Sequence, residues 1–365
     1  MHYHIILTER CNLRCKYCYE KSMKEFENGL EKKWNYDENV PFDTEVPIEK
    51  LKNFLKSEDT LIFYGGEPLI KIDKIKEIID NLNCEFAMQT NGILLNKLPI
   101  NYLNKIKKIL ISLDGTPERT NHNRGNGKYE IILKNIKEIR EKGYKGEIVA
   151  RMTLSYPDIY EQALHLLNQP KIFNSIHWQI DAGFYKFDFD KEKFTNFVEE
   201  YNESVNKLLN YWIKEMERGK VLKIYPFLGI FDTLYYNKKS LIQCGSGHSN
   251  FTINTSGKIS ACPIINSVKN FYCGDISNKK IKNLILNDKE CEKCEFFKIC
   301  GGRCLYWRSA KLWPPEGDKL ICETIKNLIL KIKEKIPEIK DLIEKKIISE
   351  KDFEFERYFG PEIIP

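Results

Sequence analysis

The sequence lacks long hydrophobic runs and any strong excess of charge. None of its 365 residues fall in an apolar stretch of about 18 residues, so we expect no transmembrane helix and no membrane partner. The chain opens on Met1-His2-Tyr3-His4 and passes directly into an apolar strand pattern, so we expect no secretory signal peptide and a cytoplasmic location. The formal net charge is only +6 and no basic face is apparent, so nucleic acid is not an expected partner.

The twelve cysteines occur without a secretory signal, which makes disulfides unexpected. In a reducing compartment, grouped cysteines are more often metal ligands. Cys84 stands alone and is predicted to be a small buried hydrophobic residue. The others form two groups, Cys11, Cys15 and Cys18, and then Cys244, Cys262, Cys273, Cys291, Cys294, Cys300, Cys304 and Cys322.

The first group reads Cys-x3-Cys-x2-Cys and lacks a fourth cysteine nearby, since the next one is Cys84. Three thiolates at this spacing can hold three corners of an iron–sulfur cube, whereas an electron-transfer cluster normally takes four. The missing ligand leaves one iron open to an outside molecule. The alternative is a zinc knuckle, although zinc sites usually show paired Cys-x2-Cys halves.

Strand and helix patterns alternate over the first two thirds of the chain, which predicts a parallel sheet with right-handed crossovers. Six units rather than eight indicate an α/β fold with an open, partial (β/α)6 TIM-like barrel. The predicted strands are Tyr3–Leu7, Thr60–Tyr64, Glu85–Gln89, Lys108–Leu113, Gly146–Leu154 and Ile176–Ile180. The predicted helices are Pro47–Lys56, Ile72–Leu82, Tyr102–Ile106, Lys128–Glu141, Ile159–Leu167 and Lys191–Met216.

Polar or glycine-rich stretches follow several of these strands, at the barrel end where function gathers. They are Gly65-Gly66-Glu67-Pro68, Gln89-Thr90-Asn91-Gly92, Ser112-Leu113-Asp114-Gly115 and, further on, His122-Asn123-Arg124. Paired glycines allow close approach of backbone to a ligand, although an ordinary turn is the alternative reading. Leu154 and Asp181 end later strands, and Asp181 is the candidate acid for substrate contact or proton transfer.

The three-cysteine loop after the first strand, with Tyr17 before its last cysteine, resembles that of the radical S-adenosylmethionine (SAM) family. The resemblance implies that the open iron binds the amino and carboxylate groups of SAM. One electron then cleaves SAM to a 5′-deoxyadenosyl radical, which takes a hydrogen atom from the substrate. By the same resemblance, the Gly65-Gly66-Glu67-Pro68 backbone holds the amino group, and Ser112 and Arg124 hold the carboxylate and ribose. The remaining cofactor-binding candidates are Tyr17, Gln89, Asn91, Asp114 and Leu154.

The second cysteine group contains Cys291-x2-Cys294-x5-Cys300-x3-Cys304 and resembles the SPASM domain, a C-terminal extension of peptide-modifying radical SAM enzymes. Zinc is the alternative occupant, because paired Cys-x2-Cys sequences do bind zinc. The resemblance implies two auxiliary 4Fe–4S clusters, hence three clusters in all. The implied distal cluster is held by Cys291, Cys294, Cys300 and Cys322. The implied nearer cluster is held by Cys244, Cys262 and Cys304. Its fourth iron is open, or is filled by Cys273 or, as the weaker candidate, by His248.

Two positions depart from the sulfatase-maturing relatives. Asn250 stands where those enzymes have a further cysteine, and Pro263 stands where they have an aspartate that acts as a base. Both departures argue against a sulfatase-maturing activity. A hairpin with its turn at Thr255-Ser256-Gly257, by contrast, agrees with the SPASM pattern.

We expect a radical SAM core over 1–217, a linker over 218–240, a SPASM domain over 241–325 and a C-terminal segment over 326–365. The irregular stretch 21–46 is interpreted as an insertion over the cluster mouth. The last segment repeats apolar residues at helical spacing, which predicts one amphipathic helix over Thr324–Ile347, or two joined at Pro337. The aromatic tail from Phe353 is expected to fold back on the core.

The expected function is post-translational modification of a peptide or small protein, begun by hydrogen abstraction. A radical SAM enzyme acting on a small metabolite or cofactor precursor is the alternative, and a ferredoxin-like electron carrier is the rival outside the enzymes. The expected electron donor is a ferredoxin or flavodoxin. Because little sequence precedes the first strand, peptide recognition is expected to use the barrel mouth, the insertion or a separate protein.

Overall fold

The computed structural model describes residues 1–18, 30, 33–181, 189–239, 241–278, 280–285 and 288–356. The chain forms two compact units. The first comprises Met1–Ala150 and Gly245–Leu286, and the second comprises Arg151–Cys244 and Asn287–Pro365. These units describe packing, so the division into a radical SAM core, a linker and a cysteine domain stays a prediction.

The first unit is built on parallel strands. They are β1 (His2–Ile6), β2 (Thr60–Tyr64), β3 (Glu85–Thr90) and β4 (Ile106–Ser112), followed by the start of β5 (Glu147–Leu154). Strand β1 pairs with β2, β2 with β3, and β3 with β4, all in parallel. All five residues of β2 are buried, as in a parallel strand covered on both faces. The apolar runs in the sequence therefore predicted these strands to within a few residues.

The helices of the first unit connect these strands. They are α1 (Ile48–Phe54), α2 (Ile72–Asn81), α3 (Ile100–Leu103), α4 (Pro117–Arg124) and α5 (Lys128–Glu141). Helix α4 was not predicted, because it is polar all round and shows no apolar period. It begins instead with a cap, in which Thr116 Oγ1 accepts a hydrogen bond from the Arg119 amide and Pro117 takes the first helical position.

A hairpin from the second cysteine group extends the sheet of the first unit. It consists of β7 (Asn250–Ile253) and β8 (Lys258–Ser260), which pair antiparallel, and β9 (Tyr272–Asp275) follows beside β8. The predicted hairpin is confirmed, with Gly257 at a positive φ of 88° in its turn. Strand β7 pairs in parallel with β1, so the strand order here is β4-β3-β2-β1-β7-β8-β9.

The second unit contains the end of β5, strand β6 (Ser175–Ile180) and helices of four to 30 residues. The helices are α6 (Ile159–Leu167), α7 (Lys191–Glu217), α8 (Tyr225–Tyr235), α9 (Lys289–Glu292), α10 (Phe297–Cys300), α11 (Leu305–Ala310) and α12 (Pro315–Glu344). Helix α12 packs on α7 and passes through Pro337 without ending, so the single-helix alternative is correct. The stretch expected to be a linker holds the buried helix α8.

After α12 the chain folds back on the second unit, as expected for the aromatic tail. The Phe353 ring stacks on Phe231 at 4.3 Å between ring centroids and meets Trp212 edge-on. Residues 357–365 lie outside the described residues, and so do 21–29, 31 and 32 of the predicted insertion. No helix in the described ranges is both long and apolar enough to cross a membrane. Cys84 is half-buried rather than buried, because it precedes β3 beside an open hollow.

Candidate cofactor site

The three-cysteine loop follows β1 directly. Cys11 is exposed and lies close enough to Cys15 and Cys18 for their charges to interact. Its sulfur accepts a hydrogen bond from the Leu13 amide at 3.4 Å. Where the structure describes the chain, no three His, Cys, Asp or Glu side chains meet as closely as a single metal ion requires. The loop thus groups the three thiols that the sequence singled out.

The paired glycines after β2 pack against the backbone that precedes this loop. The Gly66 amide donates to the Thr8 carbonyl at 2.8 Å, so the end of β2 touches the backbone that leads into Cys11. A Cβ at Gly66 would lie 2.5 Å from the Arg10 carbonyl oxygen, and a Cβ at Gly65, where φ is 136°, would overlap Thr8. The glycines therefore have a packing reason beside the predicted ligand contact, which stays a prediction.

Glu67 joins the ends of two strands. Its carboxylate is fully buried and accepts hydrogen bonds from Thr90 Oγ1 at 2.7 Å, the Asn91 amide at 2.7 Å and the Leu69 amide at 3.0 Å. Burial raises the pKa of Glu67 to about 7, although the three donors act in the opposite direction. Pro68 next to it is buried at the start of a short 3-10 helix. The Glu67 side chain thus binds the protein itself.

Asn91 connects the end of β3 to the cysteine loop. Its Nδ2 donates to Asn12 Oδ1 at 2.7 Å and lies 3.8 Å from the Cys11 sulfur. The other two strand-end candidates, Gln89 on β3 and Ser112 at the end of β4, are half-buried. Their predicted contacts with the cofactor stay predictions.

Asp114 anchors the loop from the end of β4. It is fully buried, and its Oδ2 accepts hydrogen bonds from the Tyr17 hydroxyl at 2.6 Å, Arg124 Nε at 3.0 Å and Asn123 Nδ2 at 3.2 Å. Arg124 Nη2 donates to the second oxygen at 2.8 Å. Burial raises the pKa of Tyr17 well above its ordinary value, so its hydroxyl remains a donor. One carboxylate therefore ties the cysteine loop to helix α4.

Arg124 is paired with the Asp114 carboxylate. Two of its nitrogens serve Asp114, its guanidinium lies 5.4 Å above the Tyr17 ring, and its Nη1 lies 4.0 Å from the Cys15 sulfur. The pair with Asp114 uses two of the five N–H groups of the guanidinium. Arg124 thus helps to hold the loop through Asp114, and its predicted role in holding the SAM carboxylate stays a prediction.

Leu154 and Asp181 belong to the second unit. The Leu154 carbonyl accepts a hydrogen bond from the Asp181 amide at 2.9 Å, and Leu154 is buried. The Asp181 carboxylate accepts from Ser155 Oγ at 3.3 Å. Their predicted roles, cofactor contact and acid chemistry, stay predictions.

The second unit also groups four thiols of the later cysteine motif. Cys291 is close enough to Cys294 for their charges to interact, and Cys300 is close enough to Cys322 and Cys291. The loop into α9 is closed by Asp288, whose carboxylate accepts from the Cys291 amide at 3.3 Å. Four cysteine thiolates are the donor set of a 4Fe–4S cluster, so these residues fit the implied distal cluster.

The predicted ligands of the nearer cluster fall in both units. Cys244 and Cys304 are half-buried in the second, whereas Cys262 and Cys273 are buried in the first. Burial raises the pKa of Cys273 to about 11, and its thiol donates to the Phe271 carbonyl at 3.6 Å. This cluster and its fourth ligand stay predictions.

Asn250, the residue in place of a relative's cysteine, is buried at the start of β7. Its Oδ1 is hydrogen-bonded to His4 Nδ1 at 3.0 Å across the β1–β7 pair. The side chain thus has a structural partner within the sheet. Thr90 and Asn123, which contact Glu67 and Asp114, were missed as candidates, although both stand beside residues that were named.

Residues 5–169 match the model of the radical SAM superfamily. They include the cysteine loop, the glycine turn and the Asp114–Arg124 pair described above. The chain therefore contains a radical SAM domain, and the resemblance found in the sequence is confirmed. The cofactors of this family are SAM and a 4Fe–4S cluster.

Within this class, the chain is similar over most of its length to one group of enzymes. It is 23% identical over 337 residues to a cysteine-type anaerobic sulfatase-maturating enzyme from Clostridium perfringens, covering 82% of this chain and 87% of that one. The structure of native anSMEcpe with bound AdoMet and Cp18Cys peptide matches with a TM-score of 0.67 and 18% identity, over 93% of this chain and 99% of the other.

A third relative is Streptococcus suis SuiB bound to precursor peptide SuiA. It matches with a TM-score of 0.53 and 17% identity, over 83% of this chain and 71% of the other. These likenesses show the fold, and the predicted α/β class with an open partial barrel is confirmed.

Proposed function

We propose that this chain is a radical SAM enzyme that modifies a peptide or small protein, beginning with removal of a hydrogen atom from an unactivated carbon. The observation that carries the proposal is the three-thiol loop held between the Glu67 and Asp114 carboxylates. Two similar proteins, anSMEcpe and SuiB, have been solved with peptides bound. This favours a peptide over the alternative small metabolite.

Each residue of the site has a distinct task in this proposal. Cys11, Cys15 and Cys18 hold the SAM-binding cluster, which supplies the radical chemistry when bound. Asp114 fixes the loop through Tyr17 and Arg124, at distances of 2.6 to 3.0 Å. This buried, bidentate pairing keeps the loop in one conformation, because buried charge pairs are costly to separate.

Glu67 and Asn91 position the start of the loop, at Cys11 and Asn12. Asn91 lies beside Cys11 and is itself held by the Glu67 carboxylate through its backbone amide at 2.7 Å. The two carboxylates therefore brace the cysteines from two strand ends. Asp181 remains the acid proposed for substrate contact or proton transfer.

The four thiols of the second unit are proposed to hold one auxiliary cluster, and Cys244, Cys262 and Cys304, with Cys273, a second. Removal of a hydrogen atom leaves a substrate radical, which must lose one more electron and a proton to form a closed-shell crosslink, so that product needs an electron acceptor. The auxiliary clusters are proposed to take that electron or to bind the substrate. The proposed donor for SAM cleavage is a ferredoxin or flavodoxin, and a separate recognition protein is proposed to present the peptide.

Sulfatase maturation is not the proposed reaction. The position that carries an additional cysteine in those relatives is Asn250, which is buried and bonded to His4. Pro263 begins a short 3-10 helix and has no group that can accept a proton. The proposal is therefore peptide modification of another kind.

Anaerobic co-expression with short peptides encoded beside the gene tests the proposal. We expect mass spectrometry to show a peptide that loses two hydrogens on crosslinking or keeps its mass on epimerisation. We expect the purified enzyme to release 5′-deoxyadenosine from SAM when it is reduced with dithionite. Chiral amino-acid analysis distinguishes an epimer from an unmodified peptide. A ferredoxin-like carrier, the rival outside the enzymes, would not cleave SAM. Consumption of a metabolite with SAM, with every peptide unaltered, establishes the small-molecule alternative.

A further inference from the structure

Arg303 lies in an unusual turn between two predicted ligands, Cys300 and Cys304. The backbone is left-handed at Gly301, Gly302 and Arg303, with φ angles of 65°, 92° and 64°. This conformation is common for glycine but costs roughly 1–2 kcal/mol at a residue with a side chain. Strain of this kind persists where the surrounding structure requires it, and it often marks a functional position.

The Arg303 side chain is half-buried, and two of its guanidinium nitrogens are shielded from solvent with donors left over. Nε and Nη1 have no hydrogen-bond partner among the residues that the structure describes. The group lies 5.3 Å above the Trp307 ring, and the nearby Asp318 carboxylate accepts instead from Trp307 Nε1 at 2.7 Å. A buried charged donor without an acceptor is strongly unfavourable, so these nitrogens are expected to meet an acceptor that the protein itself does not supply.

The surroundings of Arg303 indicate which acceptor that is. Its positive charge is close enough to act on the thiols of Cys300 and Cys322, which belong to the four-thiol group. When four thiolates hold a 4Fe–4S cluster, its sulfur atoms are hydrogen-bond acceptors and the cluster with its ligands carries negative charge. A guanidinium beside it supplies both donors and the opposite charge.

We propose that Arg303 donates N–H groups to sulfur of the cluster held by Cys291, Cys294, Cys300 and Cys322, and thereby makes its reduction potential more positive. This inference rests on the proposed function, which places a cluster there. Hydrogen bonds to sulfur and nearby positive charge are the protein's means of raising such a potential. Arg303 is thus a tuning residue, and its effect on the reaction passes through the cluster.

The test is a redox titration of the anaerobically reconstituted full-length enzyme, followed by electron paramagnetic resonance, for Arg303→Gln and Arg303→Lys. We expect R303Q to shift one cluster to a more negative potential, with the other clusters unmoved and the iron content unchanged. R303K keeps the charge but loses the planar fork, so its shift is smaller. In resonance Raman spectra, the D₂O-sensitive shift of the iron–sulfur bands should shrink in R303Q.

Lys326→Gln is the matched control. Lys326 carries a positive charge near Cys322 and Cys294 but is partly exposed and paired with Glu323 at 3.0 Å. Its removal should leave the potential near the wild-type value, since exposed charges are screened. If R303Q holds less iron, R303K provides the titration.

An unchanged potential in both Arg303 variants at full iron content overturns this inference. Equal shifts in R303Q and K326Q also overturn it, because general charge then explains the effect. These outcomes leave the proposed function standing as long as SAM cleavage and peptide modification persist. A wild-type protein without iron or sulfide contradicts the proposed function itself.

Discussion

Two arginines, the buried Arg124 and the half-buried Arg303, stand beside the two cysteine groups, and their hydrogen-bond partners differ. Arg124 lies 5.4 Å above the Tyr17 ring and is neutralised by a bidentate bond to Asp114. Arg303 lies 5.3 Å above the Trp307 ring, yet its Nε and Nη1 have no partner where the structure describes the chain. In the first unit Arg124 holds the cysteine loop in place. In the second unit, we propose that these N–H groups of Arg303 donate to the cluster held by the four thiols.

This difference separates two ways of building a cluster site. The first loop is braced by side chains, because Glu67 and Asp114 accept hydrogen bonds from residues around it. The second group is shaped by a left-handed backbone turn, and the Asp288 carboxylate caps α9 beside it. Substitutions in the first unit are therefore expected to act on loop position, and those in the second on cluster properties.

The largest expected effect separates the two cysteine groups. Replacing Cys11, Cys15 and Cys18 together by Ala should abolish SAM cleavage and lower the iron content from about twelve to about eight per chain. Replacing Cys291, Cys294, Cys300 and Cys322 should remove a similar amount of iron but leave 5′-deoxyadenosine release detectable with dithionite. Iron, sulfide and nucleoside assays measure both. Zinc without sulfide in the wild-type protein would contradict the assignment of iron–sulfur clusters to both cysteine groups.

The next effect concerns the neutralised arginine. Asp114→Asn leaves the buried Arg124 cation unpaired and should lower the free energy of unfolding by about 3–5 kcal/mol. The control is Asp73→Asn, which breaks an exposed pair with Lys76 and should cost less than about 0.5 kcal/mol. Urea unfolding of the cluster-free proteins measures both. The double variant D114N/R124Q should lose less than the sum of its single changes. Equal losses of stability for D114N and D73N would contradict the claim that the Asp114–Arg124 pair stabilises the folded protein.

The sequence predicted the strands well because parallel buried strands are continuous apolar runs, as at Thr60–Tyr64. It named the cysteines and the strand-end residues because their spacing is local. The pairing of Asp114 with Arg124, ten residues later, depends on helix α4, which has no apolar period to reveal it. The N–H groups of Arg303 that lack a partner in the described ranges were not predictable, because they depend on which hydrogen-bond acceptors lie around the side chain in the folded protein.

Glu67 is a buried carboxylate that accepts hydrogen bonds from the uncharged donors of Thr90, Asn91 and Leu69, and its contribution to stability should depend on pH. Its pKa is raised by burial from 4.5 to about 7. Between these values the folded state keeps a proton that the unfolded state loses, so the free energy of unfolding falls as pH rises. Relative to Glu67→Gln, the wild type should lose about 3 kcal/mol between pH ~4.5 and ~7.5.

Urea unfolding at several pH values gives this difference. Using E67Q as the reference cancels the titration of the other groups, which both proteins share. A difference that stays flat or grows with pH would show that the three donors to Glu67 outweigh its burial.

The smallest expected effects come from two glycines, one near each cysteine group, that pack closely against the backbone of a neighbouring segment. A Cβ at Gly66 would lie 2.5 Å from the Arg10 carbonyl, and one at Gly301 would overlap the Leu241 carbonyl. Each Ala variant should cost about 1–3 kcal/mol through overpacking. Gly143→Ala is the control, because Gly143 has a φ of 96° but nothing within 4 Å of an added Cβ.

The three variants are expected to differ in their spectra more than in their stability. G66A should weaken the signal of the SAM-binding cluster alone, because it displaces the backbone before Cys11. G301A should change only the cluster of the second unit, because the turn that it strains ends at Arg303. G143A, with a strain of about 1–2 kcal/mol, should change neither. Electron paramagnetic resonance of the reduced enzymes, with and without SAM, resolves the two clusters. If G66A and G301A alter the same signal, the two cysteine groups do not hold separate clusters.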